Sequence, residues 1–308
     1  MFREKIPSRQ LCAWLFAGMV PVLIQLLGGD AWIWITILGT VSVLLTLLVW
    51  RTLWEPPKWL FPFLLIYIVL LLSQLLGSVS AIWPSGEREP WVGLILLAVA
   101  VFSAQKGISA AARVGTVLFW MVLILYLTVF VAGTKEVNLP WLAPRWHLPD
   151  EMGLSVLLVP LMSVCLLKAD AQKGTRLFLV PLFIVAAALL TTGILSPAVA
   201  INTPNAFFEM SRSINLFGIV RRFEAMICAG MTVGWFALMS LLLSVCSVLI
   251  NKFLPLQSRV GVWVVAIGAA GVQLCGLHIR PSVLLIVGAV FWVGIPLLTQ
   301  GLEKIKKS

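Results

Sequence analysis

Few side chains in this sequence have the type and spacing that chemistry requires. The only two histidines, His147 and His278, lie near the ends of apolar segments. No Ser/His/Asp arrangement and no pair of carboxylates falls inside an apolar segment, where a catalytic site would be shielded from water. There is also no glycine-rich loop of the kind that binds phosphates. The inventory predicts a protein that is not an enzyme and uses no nucleotide or other cofactor.

The cysteines do not suggest a metal centre either. All five fall within predicted apolar segments and lack the spacing of metal ligands: Cys12, Cys165, Cys228, Cys246 and Cys275. None lies in a polar connection where a disulfide would be expected. We therefore predict small buried hydrophobic residues and no bound metal.

The composition explains why charged chemistry is scarce. Hydrophobic residues make up 61% of the 308 residues, charged residues only 11%, and the mean hydropathy is +1.05. These values exclude a soluble globular protein and predict an all-α polytopic membrane protein. About ten apolar segments approach the length of a membrane span: residues 11–27, 31–50, 59–83, 91–104, 112–133, 153–168, 176–200, 223–250, 258–277 and 281–299.

The positive charges predict how these segments are oriented. When the connections are assigned alternately to the two sides, fifteen of the 22 lysine and arginine residues fall on one side. The positive-inside rule makes that side cytoplasmic and places both termini there. The net charge of +10 therefore reflects membrane topology and does not indicate a partner nucleic acid.

A polar connection at 134–152 divides the ten spans into two groups of five. We predict a single transmembrane domain over 1–308, with a first repeat at about 9–133 and a second at about 153–299. An odd number of spans per repeat inverts the two repeats relative to the membrane. Such folds interrupt the first span of each repeat near the bilayer midplane. Gly18 with Pro21, and Pro160 in the sixth span, are the predicted interruptions.

The second long polar segment, at about 201–222, should cover the predicted outer side as a lid. Thr203 and Pro204 form a plausible helix start, and Phe207, Met210 and Ile214 follow at helical spacing. We predict a short amphipathic helix from Pro204 to about Leu216 and a second one that begins near Gly218. Arg222 and Glu224 are predicted to form a structural ion pair where the eighth span begins.

Four sequence motifs resemble the spore germination permease family. The string PNAFFEMSRSINLFGIVRRFEAM, which contains Arg222 and Glu224, is similar to the family's stretch with a short helix before an Arg-x-Glu pair. IPSRQL (Ile6 to Leu11) resembles the family's opening, GGDAWI (Gly28 to Ile33) its first outer turn, and AQKGISAAARVG (Ala104 to Gly115) the element before the fifth span. The motifs are short, but they follow the family's order over most of the chain.

The resemblance implies a fold, a function and partners. The family is the B-subunit class of nutrient germinant receptors, within the amino acid/polyamine/organocation transporter superfamily, whose fold is the five-plus-five inverted repeat (LeuT-like). The resemblance implies a multi-pass subunit in the inner membrane of the spore. It also implies an A-type subunit and a C-type lipoprotein as partners, and a small-molecule ligand such as an amino acid.

A zwitterionic ligand could be held without charged side chains. Its carboxylate would meet helix N-termini at the interrupted first span, and its ammonium would meet free carbonyl groups there and near the sixth. The candidate ligand-binding residues are Gly18, Pro21, Gln25, Gln74, Pro160, Ser163 and Trp235. Each hydroxyl or amide among them could instead form a hydrogen bond between helices.

Two alternatives to a receptor subunit stay open at this point. One is a secondary amino acid permease of the same superfamily. The other is a ligand-free structural subunit of the receptor complex, because the sixth span reads Pro160-Leu161-Met162-Ser163 where the family has a Pro-Phe-Gly-Glu-like element. The missing carboxylate would remove a polar group from the presumed site.

Overall fold

The computed structural model describes residues 6–27, 31–52, 56–79, 90–143, 151–167, 171–203, 205–214, 223–253, 258–277, 279–296 and 298–299. Every regular element within these ranges is helical. The first five spans are α1 (Ser8–Leu27), α2 (Trp32–Thr52), α3 (Phe61–Val79), α4 (Pro90–Gln105) and α5 (Ile108–Gly133). The helices that follow the central connection are α6 (Glu151–Val156), α7 (Val159–Leu167), α8 (Leu179–Leu195), α9 (Pro197–Asn202), α10 (Ala206–Ser213), α11 (Phe223–Phe253), α12 (Ser258–Leu274) and α13 (Pro281–Ala289).

These helices reproduce the ten predicted apolar segments. Six helices within the described ranges are long and apolar enough to cross a membrane, and four shorter apolar helices complete the set. The shorter ones are Trp91–Gln105, Gly153–Leu167, Val260–Leu274 and Pro281–Gly294, the last of which ends in a π-helical turn at Val290–Gly294. The chain is therefore an all-α polytopic membrane protein, as predicted.

Helix α1 lies at the centre of the bundle, and 83% of its most apolar stretch is buried. It packs mainly against α11 and α5. The indole nitrogen of Trp14 donates a hydrogen bond to the carbonyl of Ala237 over 3.0 Å, which fixes α1 against α11. A Cβ atom on Gly115 would lie 2.5 Å from the Trp14 ring, so only glycine lets α5 approach there. By contrast, only 22% of the corresponding stretch of α5 is buried, which suits a helix that faces lipid.

The predicted interruption of the first span is wrong. Helix α1 runs without a break through Gly18 and Pro21. Proline removes one backbone hydrogen bond, but the helix continues past Pro21, whose ring packs directly against Gly234 of α11. A Cβ atom on Gly234 would lie 2.5 Å from that of Pro21.

The predicted interruption of the sixth span is present. Helices α6 and α7 are separated by Leu157 and Leu158, and Pro160 is the second residue of α7. The Leu158 amide donates a hydrogen bond to the Ser155 carbonyl over 3.2 Å, three residues earlier in the chain. This 3₁₀-type bond tightens the last turn of α6. Of the two predicted repeats, only the second therefore has a break in its first span.

The connections at the predicted outer side also differ in part from expectation. Residues 134–143 form two short 3₁₀ turns, Thr134–Glu136 and Leu139–Leu142, and the Asn138 amide donates to the carbonyl of Gly193 over 2.8 Å. Helix α9 ends at Asn202, where the polar segment begins, and α10, the short helix within the segment, ends at Ser213 instead of near Leu216. Pro204 and the helix predicted near Gly218 lie outside the described residues.

One of the five cysteines departs from the prediction. Cys12, Cys165 and Cys246 are buried and Cys228 is partly buried, as expected, whereas Cys275 is exposed. It lies one residue past the end of α12, beyond the apolar packing that the predicted span would have given it. No group of three metal-ligating side chains is found in the part of the chain that the structure describes.

Candidate functional site

Four of the seven candidate ligand-binding residues meet at the interface of α1 and α11. Gly18 lies where a Cβ atom would come within 2.9 Å of the Leu238 backbone nitrogen, and Pro21 packs on Gly234. One turn further along α1, the Gln25 side chain reaches Trp235. The two helix backbones are therefore in direct contact through glycines, and the polar groups lie at the end of that contact.

The Gln25 amide is the polar centre of this interface. Its oxygen accepts a hydrogen bond from the Trp235 indole nitrogen over 2.7 Å, and its nitrogen faces the carbonyl of Ser78 in α3 over a long 3.5 Å. Gln25 is 7% exposed and Trp235 is fully buried. One side chain thus links three helices, α1, α3 and α11. In this conformation the Gln25 amide forms the hydrogen bonds between helices that the alternative interpretation describes, and ligand binding by Gln25 stays a prediction.

The other three candidates, Gln74, Pro160 and Ser163, lie outside this α1–α11 group. The Gln74 amide nitrogen donates to the carbonyl of Ile279, just before α13, over 2.8 Å. Pro160 and Ser163 lie in α7, and the Ser163 hydroxyl donates to the carbonyl of Val159 over 2.9 Å within the same helix. The seven residues therefore form an α1–α11 group, a contact between α3 and α13, and an α7 group at the break.

The break between α6 and α7 is stabilised from α2 by a residue absent from the sequence prediction. The Ser42 hydroxyl donates to the carbonyl of Leu157 over 2.5 Å, and both residues are buried. A free carbonyl in the interior of a membrane protein is costly, and this hydroxyl provides its partner. In the sequence, Ser42 is one of many serines in apolar segments, and nothing else there distinguishes it from the others.

Replacing Ser42 with alanine should destabilise the protein by about 1–3 kcal/mol, because the Leu157 carbonyl then stays buried without a partner. The matched control is Thr46→Val, one turn away in α2. The Thr46 hydroxyl donates to the Ser42 carbonyl within its own helix, so its loss should matter less. Denaturation in mild detergent, followed by tryptophan fluorescence, measures both. Equal effects of the two substitutions would contradict a specific role for Ser42 at the break.

Tyr67 is a second residue near the break that the candidate set omits. A Cβ atom on Gly288 of α13 would lie 2.5 Å from the Tyr67 hydroxyl oxygen and 2.9 Å from a methyl carbon of Leu158. Tyr67 is 1% exposed, and its hydroxyl has no hydrogen-bond partner among the described residues. An unsatisfied hydroxyl thus lies beside the interrupted helix. Its position follows from packing between α3 and α13, which periodicity in α3 cannot reveal.

The electrostatics of the described interior are those of neutral groups. The buried polar residues in the described ranges are serines, threonines and one glutamine, with no lysine, arginine, aspartate or glutamate. Proton-coupled transporters usually hold an ionisable residue at membrane depth. Within the described spans, a polar ligand would meet hydroxyl, amide, indole and backbone groups.

Two of the cavities are described by the residues that line them, and none of the seven candidates is among those residues. The larger, of about 210 Å³, is an apolar groove between α3 and α13 that is lined by Phe63, Ile66, Tyr67, Leu70, Ile279, Val283, Leu284, Val287 and Phe291. The smaller, of about 10 Å³, lies between α1, α8 and Phe207 of α10. Of the polar candidates, Gln25, Ser163 and Trp235 are buried.

Charged side chains gather at the predicted outer side, on α10 and the start of α11. Arg212 donates to Glu224 over 3.1 Å and to Glu209 over 3.0 Å, and its guanidinium lies 4.8 Å from the centre of the Phe208 ring. Desolvation lowers the pKa of Arg212, but hydrogen bonds to Glu224 and Glu209 outweigh it and raise the pKa above its ordinary value. The predicted partner of Glu224, Arg222, lies outside the described residues.

Comparisons with known proteins identify the fold of the chain but do not identify its family. No protein-family model matches the chain. A search of curated proteins also finds no match. Among solved structures, the chain is similar to a Na⁺-coupled sialic acid symporter, solved in a substrate-bound, outward-open state that revealed a novel Na⁺ site. The TM-score is 0.56 at 11% sequence identity, over 92% of this chain and 76% of that one. The chain is therefore a multi-pass membrane protein with a transporter-like fold.

Proposed function

We propose that this protein is a B-type subunit of a spore germinant receptor, which binds a small nutrient, such as an amino acid, in a transporter-like site. The observation that carries the proposal is the interrupted sixth span in a fold of the symporter type. A break inside the bilayer exposes backbone groups that can bind a ligand without charged side chains. The germination motifs quoted above supply the receptor assignment. An A-type subunit and a C-type lipoprotein are the partners that this assignment implies.

Two features of the described interior favour sensing over transport. Helix α1 is continuous, and it packs closely on α11 where Gly18 faces the Leu238 backbone and Gly234 faces the Pro21 ring, so the first span has no flexible interruption. Among the described residues, the core also holds no buried lysine, arginine, aspartate or glutamate that could couple a proton gradient to movement. A protein that binds a ligand and passes a small rearrangement to its partners requires neither a flexible first span nor a group that couples to a proton gradient.

The second candidate function is a secondary amino acid permease. The fold shared with a Na⁺-coupled symporter favours it, because a sodium site can be built from carbonyl and hydroxyl oxygens alone. The third is a ligand-free structural subunit, which the close packing around Gln25 and Trp235 favours.

Binding and flux measured on one preparation distinguish a receptor subunit from a permease. The full chain is reconstituted in proteoliposomes, and a panel of radiolabelled amino acids is tested for saturable binding and for uptake under an inward sodium gradient. Saturable binding without accumulation is the expected result for a receptor subunit. Accumulation against a gradient would make the protein a permease.

Complementation tests the receptor role itself. The chain replaces the resident B subunit in a spore-forming host, and germination with the bound amino acid is followed by loss of optical density. We expect restored germination. Restored germination without any saturable binding would support the structural subunit, and failure to germinate despite saturable binding would contradict the receptor assignment.

A further inference from the structure

The apolar groove between α3 and α13 has no part in the proposed function. It encloses about 210 Å³, and every side chain that lines it is aliphatic or aromatic. Three of these side chains are about half exposed: Phe63 at 53%, Ile66 at 57% and Val283 at 47%. The unpacked apolar surface of a membrane span meets lipid chains. The groove therefore opens toward the hydrocarbon of the bilayer.

The groove has the length of an acyl chain in one leaflet. Along α13 it extends from Val283 to Phe291, which is about 12 Å of helix. One leaflet supplies about 15 Å of hydrocarbon, half of a core of about 30 Å. At the far end, the centres of the Phe63 and Phe291 rings are 6.5 Å apart. A volume of about 210 Å³ spread over this length leaves a narrow channel, which suits a single chain.

Polar groups gather at the end of the groove that lies at the predicted outer side. The Gln74 amide nitrogen donates to the carbonyl of Ile279, which lines the groove, over 2.8 Å. A second amide belongs to Gln273 of α12, and its nitrogen would lie 2.9 Å from a Cβ atom on Gly77 of α3. Arg280 follows Ile279 directly, is exposed, and forms no ion pair with another described residue. The apolar groove thus ends near two amides and a cation.

We propose that the α3–α13 groove and Arg280 form a binding site for one anionic phospholipid. Its acyl chain lies along the groove, and its phosphate pairs with the Arg280 guanidinium at the predicted outer side. The Gln74 and Gln273 amides lie at the same end as the ester groups of the lipid, which accept hydrogen bonds. Nothing in this site requires an amino acid ligand, so it is independent of the proposed function.

The headgroup assignment follows from charge complementarity. A guanidinium can donate two parallel hydrogen bonds to a phosphate, and its charge persists at any physiological pH. A zwitterionic headgroup would bring its own cation near Arg280, whereas an anionic headgroup brings none. The positive-inside rule leaves few basic residues on the outer side, so Arg280 has little competition there as a partner for a lipid phosphate.

Cations at the two ends of the groove provide a matched pair of variants. Arg280→Gln removes the cation beside Ile279, and Lys58→Gln removes an exposed cation just before Phe63, at the opposite end. The full chain is freed of lipid in detergent and titrated with phosphatidylglycerol or phosphatidylcholine, and native mass spectrometry counts the bound molecules. We expect one phosphatidylglycerol to bind about fivefold more tightly than phosphatidylcholine. Arg280→Gln should remove this preference, and Lys58→Gln should keep it.

Three outcomes of this titration would contradict the proposal. Equal affinity of the wild type for the two lipids would overturn the anionic headgroup. Loss of the preference in Lys58→Gln alone would mean that the chain enters the groove from the other end. If the wild type retained no phospholipid, the lipid assignment would be overturned, and a helix of another chain would become the occupant to test.

Two tryptophan variants on α13 test the groove itself. Val283→Trp places an indole in the groove, whereas Ile286→Trp places one on a 63% exposed position that does not line it. Val283→Trp should weaken phosphatidylglycerol binding about tenfold, because each methylene group displaced from an apolar contact lowers the affinity. Ile286→Trp should have little effect. Equal weakening by both variants, or none in Val283→Trp, would overturn the groove as the site of the chain.

Thermal unfolding provides a second measurement that does not depend on retention in the gas phase. A ligand that binds only the folded protein raises its Tm by an amount that grows with affinity. Phosphatidylglycerol should therefore raise the Tm of the wild type and of Lys58→Gln more than that of Arg280→Gln. The same rise in all three proteins would contradict the role of Arg280. Absent amino acid binding with these lipid effects intact would count against the proposed function alone.

Discussion

Replacing Gly18 with alanine should destabilise the protein by about 1–3 kcal/mol, and larger residues should prevent the bundle from closing. The added Cβ atom would meet the backbone nitrogen of Leu238 at 2.9 Å and its Cα atom at 3.0 Å. A backbone cannot rotate away as a flexible side chain can. Relief therefore requires α1 and α11 to separate, and that would also strain the Trp14–Ala237 hydrogen bond.

Gly271→Ala is the matched control for this prediction. Gly271 also lies in a helix, α12, but no atom lies within 4 Å of the position that its Cβ would take. Alanine favours helix over glycine by up to about 1 kcal/mol, so this variant should be neutral or slightly more stable. Denaturation of both variants in the same detergent gives the comparison. Equal stabilities would mean that the α1–α11 interface is looser than its contacts indicate.

The Gln25–Trp235 pair should show a large coupling in a double-mutant cycle. Gln25→Leu leaves the Trp235 indole nitrogen buried without its acceptor, and Trp235→Phe leaves the Gln25 oxygen without its donor. Each substitution should cost about 1–3 kcal/mol. The double variant removes both polar partners, and its cost should fall below the sum of the single costs by about 0.5–3 kcal/mol.

Stability is measured on three proteins, the two single variants and the double variant. The control is Gln74→Leu, which removes a different amide whose single resolved contact is the Ile279 carbonyl. It should lower stability without any coupling to Trp235→Phe. If the costs at Gln25 and Trp235 were simply additive, the hydrogen bond between them would contribute nothing to the interface.

Apolar run length was a sufficient guide to the number of helices. Ten apolar stretches predicted ten helical segments, because a helix in lipid must satisfy its own backbone and needs a nearly fixed length of apolar sequence. Run length does not distinguish a continuous helix from an interrupted one. Pro21 and Pro160 look alike in sequence, yet only the second follows a break. The difference lies in their neighbours. The Pro21 ring packs against Gly234, which has no side chain, whereas the Ser42 hydroxyl donates a hydrogen bond to the Leu157 carbonyl at the break.

The sequence suggests which residue types could bind a ligand, but it does not show which of them meet in the structure. Gln25 and Trp235 do meet, although they are 210 residues apart in sequence. Ser42 and Tyr67 make contacts with other helices, and the periodicity within one helix does not show which helix it packs against. At the predicted outer side, the expected Thr203 cap gives way to Asn205, which takes a left-handed conformation with φ of 58° immediately before α10. Asparagine tolerates this conformation better than most residues, and only the path of the chain requires it.

The central position of α1 has a consequence for the order in which the protein is built. The ribosome releases α1 first, but its closest partner is α11, and the Trp14–Ala237 contact spans 223 residues of sequence. Until the eighth apolar segment is inserted, the face of α1 that will contact α11 meets lipid or another part of the unfinished chain. Contacts so distant in sequence form slowly and late. Membrane insertion can therefore proceed from the N-terminus, whereas consolidation of the core must wait until most of the chain has been synthesised.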